Sequence, residues 1–331
     1  MLDNNGEIVH EGRVKLTRQA LTARFDGLQC ARVALEAGTH SLWVSALSTE
    51  FGHDVIVANV RELAAITGST KKSDKNDAVK LARYARLDPS ILCPIRHRSA
   101  ESQRDLSFIR ARAALLQART LLLNTARGIA KPLGYRLPKC TADAFARNCR
   151  GHIPDQLTLV LSPLMDQIQQ LTDGIKAYDD QIEAMSADRG AELSPILSVP
   201  GIGVLTAWTF VLTIGDQSRF KRSRDVACYL GLQPKRSQSG DCDPRLGITK
   251  AGNGYARMLL VECAQHILGP FGRDSHLRRW GMNLSQRGGK GSKRKAVVAL
   301  ARKLAILLHR LWVSQQQYRP FYPMERQAAV A

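Results

Sequence analysis

Between Ser99 and Ala130 the chain carries no proline, and no glycine before Gly128, while helix-forming residues dominate. A helix of that length reaches about 45 Å. Leu106, Ile109, Ala113, Leu116, Thr120 and Leu123 supply an apolar or small stripe, and Arg104, Arg110, Arg112, Arg119 and Arg127 decorate the other faces. Residues 132 to 155 hold three prolines and several turn residues, which predicts a loop or small cap. Beyond it Leu164, Ile168, Leu171, Ile175, Tyr178, Ile182 and Met185 step by four and three, the heptad pattern of a coiled coil. Two long helices joined by a compact linker predict an antiparallel arm over residues 96–190, with two ordinary core helices as the alternative.

The segment before the arm, residues 1–95, reads as alternating strands and helices. Asn4-Asn5-Gly6 is turn chemistry, and Glu7 to Leu16 reads as a strand leaving it. Thr17 caps a helix to about Phe25. Cys30 to Glu36 is a second strand ending near Gly38, and Ser41 to Phe51 a helix. Asp54 to Val60 is an apolar, β-branched run suited to a buried parallel strand. Ser73 caps a further helix to about Tyr84. This alternation predicts an α/β sheet domain. The third part, residues 191–331, opens on Leu197-Ser198-Val199-Pro200-Gly201-Ile202-Gly203. It closes on a basic amphipathic helix from about Ser292 to Gln317. The predicted fold class is therefore α/β plus all-α.

Across 331 residues, Lys and Arg total 48 against 29 Asp and Glu, a formal net charge of +19. The basic residues cluster, and a polyanionic partner is the simplest reason for such an excess, because each phosphate contact releases counterions. The seven cysteines form no Cys-x-x-Cys pair and their number is odd. This argues against a disulfide framework or zinc ribbon and for a reducing cytoplasm. The opening residues hold no apolar signal core, and no run of about 18 apolar residues exists, so no membrane span is expected.

Four motifs could carry chemistry. Glu36 ends a strand, and Asp74 and Asp77 share one face of the first turn of a helix. Hard oxygen ligands so placed can hold Mg²⁺, and two such ions about 4 Å apart stabilise both oxygens in phosphoryl transfer. The same two aspartates serve equally well to complement a positive helix terminus. The turn Val199 to Gly203, with Gly201 and Gly203, resembles a helix-hairpin-helix element in which N–H groups approach a phosphate; a plain interhelical turn is the alternative. The loop from Gly231 to Gly240, followed by Gly247 to Arg257, places serines beside glycine with Lys235, Arg236, Lys250 and Arg257 nearby. These cations could hold a phosphodiester, and an accessible serine could attack it. No histidine lies close in sequence, so a plain phosphate-binding loop is the alternative. Gly288 to Lys295 has the wrong spacing for a Walker loop. It reads as a flexible basic loop, with Lys293 and Arg294, entering the last helix.

Taken together these blocks resemble one family, the transposases of the insertion-sequence 110/116/902 group, with an N-terminal DEDD domain and a C-terminal transposase domain. The resemblance spans nearly the whole chain. It rests on Ala34-Leu35-Glu36-Ala37-Gly38-Thr39, Lys72-Ser73-Asp74-Lys75-Asn76-Asp77-Ala78, the run from Pro200 to Pro234, Ser239-Gly240, and Ile248-Thr249-Lys250-Ala251-Gly252-Asn253. It implies an RNase H-like, RuvC-like fold for residues 1–95, with Glu36, Asp74 and Asp77 as three of four acidic ligands for Mg²⁺. It implies a serine nucleophile in the second domain, placed at Ser239 with Ser237 as the runner-up, that attacks a DNA phosphate and becomes a phosphoserine. It further implies a structured guide RNA and a homo-oligomer in which one subunit's acids act with another's serine. The family's first acidic residue lies on an opening strand before the turn matched by Asp3-Asn4-Asn5-Gly6. This chain begins at that turn: either its start is misplaced, or the protein lacks that strand and that ligand, and in the second case little or no Mg²⁺-dependent activity is expected. Two other functions fit the same residues: a non-catalytic nucleic-acid-binding remnant, and a structure-selective nuclease using the acids alone.

Overall fold

A computed structural model of the chain describes residues 1–59, 73–240, 244, 246–289 and 291–321. Val60, Lys72, Cys242 and Lys290, which figure in the readings above, lie outside these. The chain divides into two compact units, Met1–His97 and the remainder from Arg98.

In the first unit the capping residues act as their chemistry dictates. The Thr17 hydroxyl accepts from the Ala20 N–H and starts α1 (Arg18–Phe25), and the Ser73 hydroxyl accepts from Asn76 N–H and starts α3 (Asp74–Leu87). Between them lie β1 (Arg32–Glu36), α2 (Ser41–Glu50) and β2 (Asp54–Ala58). β1 and β2 pair in parallel, with Arg32 opposite Asp54 and Glu36 opposite Ala58. On its other side β2 bonds to an extended segment, Ile95 N–H to Val57 O and Asn59 N–H to Leu92 O. β2 is thus the interior strand, which is why Ile56, Val57 and Ala58 are buried. Leu81 and Ala85 of α3 close this core with Leu92. The strand expected from Glu7 to Leu16 does not form; only a single bridge joins Leu2 and Ile8. Val9, Val14 and Leu16 alternate with charged residues but have no face to bury against, and each remains exposed.

The second unit is helical among its described residues. α4 (Ala100–Ala130) and α6 (Thr158–Ala187) pack side by side. Their cross-links run in opposite order, Arg112 to Asp179 and Arg119 to Thr172, with Glu101 reaching Arg189 just beyond α6, so the pair is antiparallel. The buried stripe of α6 differs from the expected one. It shares Ile168, Ile175 and Ile182 but alternates them with Met165, Thr172 and Ser186, leaving Leu164, Leu171, Tyr178 and Met185 half-buried. The linker supplies the reason. Its short helix α5 (Phe145–Arg150) packs on α6 and buries Phe145 and Cys149 against Leu161 and Met165, which turns the covered face toward that side.

The opposite end of the pair, with Leu106, Ile109 and Ile182, belongs to a larger core with α7 (Gly190–Leu197), α8 (Val204–Ile214), α9 (Ser223–Tyr229), α10 (Gly254–Leu268), α11 (His276–Ser285) and α12 (Ser292–Ser314). α8 is the centre of this core: Thr206 to Ile214 are all buried. An all-round apolar helix survives in water only when other helices surround it. No described helix is long and apolar enough to cross a membrane. A small parallel sheet with helices in one unit, and helices in the other, is the α/β-plus-helical class the sequence predicts.

Candidate active site and nucleic-acid interface

Arg32, at the start of β1, donates from Nη1 to the Ala85 carbonyl near the end of α3. From Ala85 back to Asp77 the helix rises about 12 Å, and from Arg32 to Glu36 the strand rises about 13 Å. Glu36 and the first turn of α3 thus each lie about 12–13 Å along their own element from that contact. Asp74 and Asp77 continue the stripe of Leu81 and Ala85 that faces the sheet, so the packing that builds the core also aims them. Glu36 and Asp74 are exposed and Asp77 is half-buried. Among the described residues no three His, Cys, Asp or Glu side chains gather into a cation-holding group. Glu36, Asp74 and Asp77 are thus not gathered into one pocket. Asp77 is distinct: its Oδ1 is buried and has no hydrogen-bond partner among the described residues. A buried carboxylate oxygen left without a donor is costly, and a hard divalent cation is one partner that relieves it. The donor chemistry of Asp77 fits a hard divalent cation.

The serine loop is an irregular hairpin in the second unit. Lys235 N–H donates to Gly247 O at 2.7 Å, Thr249 N–H to Gln233 O at 3.0 Å and Lys250 N–H to Gly231 O at 3.1 Å. At its base the two arms cross almost in contact. A Cβ on Gly231 would lie 2.3 Å from Ala251 N, and one on Gly252 would lie 2.1 Å from Tyr229 O, both at positive φ. Only glycine fits either place. Arg257 Nη1 ties the crossing together by donating to Leu230 O and Ala251 O. Asn253 caps α10 through Oδ1 and donates from Nδ2 to the buried Thr213 hydroxyl of α8 at 3.0 Å. From this braced base Lys235, Arg236, Ser237, Gln238, Ser239 and Gly240 project into solvent, and Lys250 is exposed on the returning arm. Sequence reading grouped Arg257 with the loop cations and gave Asn253 no role; here both anchor the loop, through bonds to distant carbonyls and helices.

The glycine turn joins α7 to α8. Val199 and Ile202 are buried, and Gly201 packs against α10, where an added Cβ would come 3.0 Å from Ile267 Cγ1. Gly203 is the N-cap of α8 without a side-chain cap bond, and faces open space. Lys293 and Arg294 lie exposed in the first turn of α12, which no acidic residue occupies. Cations at the positive end of a helix repel it, and an anion there would reverse that cost.

The arginines of α4 divide. Arg112 grips Asp179 with both Nε and Nη2, and this bond raises its pKa. Arg119 is buried, 2.5 Å from Asp143. Arg127 lies over the Phe145 ring at 4.9 Å. Arg104 and Arg110 are exposed. His309 is a core residue: Nδ1 meets the Ser223 hydroxyl, Nε2 meets Gln217 O, and burial lowers its pKa.

Two family models match this chain. One, described as Transposase and modelling the DEDD domain of the insertion-sequence 110 group, covers residues 1–131, including Glu36, Asp74 and Asp77. The other, described as Transposase IS116/IS110/IS902 family, covers residues 193–277, including the glycine turn and the serine loop. The chain is similar to the transposase for insertion sequence element IS1111A of Coxiella burnetii, 26% identical over 327 residues, covering 96% of this chain and 87% of that one. It is 31% identical over 320 residues to a "Probable family 20 transposase" of Pseudomonas aeruginosa, covering 93% and 91%. The chain belongs to the IS110/IS116/IS902 family of insertion-sequence transposases.

Proposed function

We propose that this transposase cuts and rejoins DNA through Ser239, with Ser237 as the alternative nucleophile. The observation that carries the reading is the exposed serine loop, held on a base where Gly231, Gly252, Arg257 and Asn253 leave little freedom. A nucleophile works best when its position is fixed in advance. Lys235, Arg236 and Lys250 hold the phosphodiester and offset the charge that develops on its oxygens. In the step, a bond forms between Ser239 Oγ and phosphorus while the bond from phosphorus to one deoxyribose oxygen breaks. The hydroxyl proton leaves to solvent, and the departing sugar oxygen takes one up. Attack by a second strand's hydroxyl reverses the step and frees the serine.

Glu36, Asp74 and Asp77 are the residues that would hold Mg²⁺, which when bound supplies charge neutralisation at the phosphate. The buried, unpartnered Asp77 oxygen supports this assignment. In this reading residues 1–95 are a RuvC-like domain, 96–190 a coiled-coil arm and 191–331 the transposase domain. The protein acts as an oligomer guided by a structured RNA of the element, and Gly201, Gly203, Lys293 and Arg294 add contacts to nucleic-acid backbone.

A strand-transfer assay tests this, using DNA carrying the element's ends, Mg²⁺ and RNA from its non-coding end. Wild type is expected to give rejoined product, and Ser239→Ala and Asp77→Asn none. The unpartnered Asp77 oxygen also favours a second reading, a Mg²⁺-dependent nuclease. If Ser239→Ala still cleaves while Asp77→Asn does not, the nuclease reading replaces the first.

A further inference from the structure

A cleft of about 360 Å³ opens beside the glycine turn. Val199, Ile267 and Leu277 give it an apolar floor, and His266, Phe271 and Arg273 stand around it. The first three are buried and the last three exposed. This size lies at the small end of ligand pockets. It suits one planar ring system and excludes a helix or strand of a partner.

Phe271 is the unusual member. It is 83% exposed, yet it does not sit on a loose loop. Arg278 of α11 donates from Nη1 to both Ile267 O and Gly269 O, and Gly272 N–H turns back to Gly269 O at 3.3 Å. The segment Gly269–Arg273 is thus braced with the phenyl ring at its corner. Among the described residues the other strongly exposed phenyl ring, Phe321, is covered by the Arg279 guanidinium and faces His276. Phe271 has no ring or cation partner among the described residues. A rigid, bare aromatic ring next to an apolar slot, with a guanidinium at the rim, is how proteins receive a base taken out of its stack.

We propose that this cleft binds one unpaired nucleotide of a nucleic-acid strand, its base stacked on Phe271 and a flanking phosphate on Arg273. The inference rests on the nucleic-acid-binding reading and adds to it a strand-opening contact separate from the serine loop. Unpaired DNA and unpaired RNA share this chemistry.

The test uses the full chain and short oligonucleotides carrying a fluorescent adenine analogue, in deoxy and ribo forms, beside a fully paired duplex. Wild type is expected to quench the analogue in the single strand on binding. Phe271→Ala should lose that quenching and bind the single strand about tenfold more weakly, a loss typical of one stacked base. Phe271→Trp should restore both, and duplex affinity should be the same in all three. The melting temperature should not move, because the ring is exposed. The tighter of the deoxy and ribo forms names the strand that uses the cleft. Equal single-strand affinity and equal quenching in Phe271→Ala would overturn the proposal, as would a loss confined to self-association. A wild-type chain that binds neither single strand nor duplex would overturn the nucleic-acid reading itself, which is a distinguishable result.

Discussion

Arg119 and Lys235 each have other arginines nearby in the chain, Arg112 and Arg127 for the first and Arg236 for the second, and these neighbours do not tell which cation is available to an anion. Their surroundings do. Arg119 lies between two long helices, buried, with Asp143 and the Thr172 hydroxyl as partners; Arg112 grips Asp179 two turns away. Lys235 projects from a hairpin whose base is locked by glycines and by Arg257. The first set of cations spends its charge inside the protein, where removing a partner is expensive. The second leaves its charge to water and to whatever anion approaches. The 48 Lys and Arg residues therefore overstate the cations available to a nucleic acid, whereas the net charge of +19 already allows for such Arg–Asp pairs.

Variants on the two sides of this comparison should fail differently. Asp143→Ala leaves the Arg119 guanidinium buried without its carboxylate and should lower unfolding free energy in urea by about 2 kcal/mol, less than for a fully buried pair because the Asp143 side chain is 64% exposed. A loss below about 1 kcal/mol would mean that Arg119 turns out to solvent. Lys235→Gln with Lys250→Gln should leave stability unchanged. The slope of log binding constant against log salt for DNA should fall by about 2, one ion for each lost contact. An unchanged slope would move the contact elsewhere. His309 gives a smaller, pH-dependent effect. Burial lowers its pKa, so the unfolded chain takes up a proton near pH 6.5 that the folded chain refuses. Stability is full above that value and is lost as pH falls, by up to about 1.4 kcal/mol per pH unit. His309→Gln should remove this slope, seen as the difference between the two proteins' stability curves from pH 7.5 down to about 5. Smallest is Asp105, whose pKa is raised by burial beside Arg104. Its charge costs stability as pH rises through that raised value, so Asp105→Asn should melt slightly higher than wild type at pH 7 and no higher below pH 3.8.

What was legible in the sequence was what local chemistry decides. Thr17 and Ser73 each cap the helix they precede, because a hydroxyl at that position has few other uses. Ile56, Val57 and Ala58 of the Asp54–Ala58 run are buried because their apolar side chains gain by leaving water. The strand expected from Glu7 failed for a non-local reason: alternation predicts a strand only where a partner edge and a face to cover are present. The stripe of α6 was misplaced for the same kind of reason, since Met165 and Thr172 are buried by α5 and by Arg119 from α4, which no heptad count contains. At the candidate site the types of residue were readable and their duties were not. Arg257 looks like a phosphate ligand until its carbonyl partners are seen, and Phe271 looks like an ordinary turn residue until Arg278 is found holding that turn. An aromatic between two glycines with arginine directly following, Phe271-Gly272-Arg273 after Gly269, was the available signal.

The claim on which the rest stands is that the braced loop presents Ser239 to a DNA phosphate. It is tested most directly by quenching a reaction of the full chain with element-end DNA in denaturant, digesting protein and DNA, and sequencing the nucleotide-bearing peptide by mass spectrometry. A nucleotide phosphate on Ser239 is the result predicted. A nucleotide on Ser237 would shift the nucleophile by two residues, and one on a residue outside the loop would contradict the account.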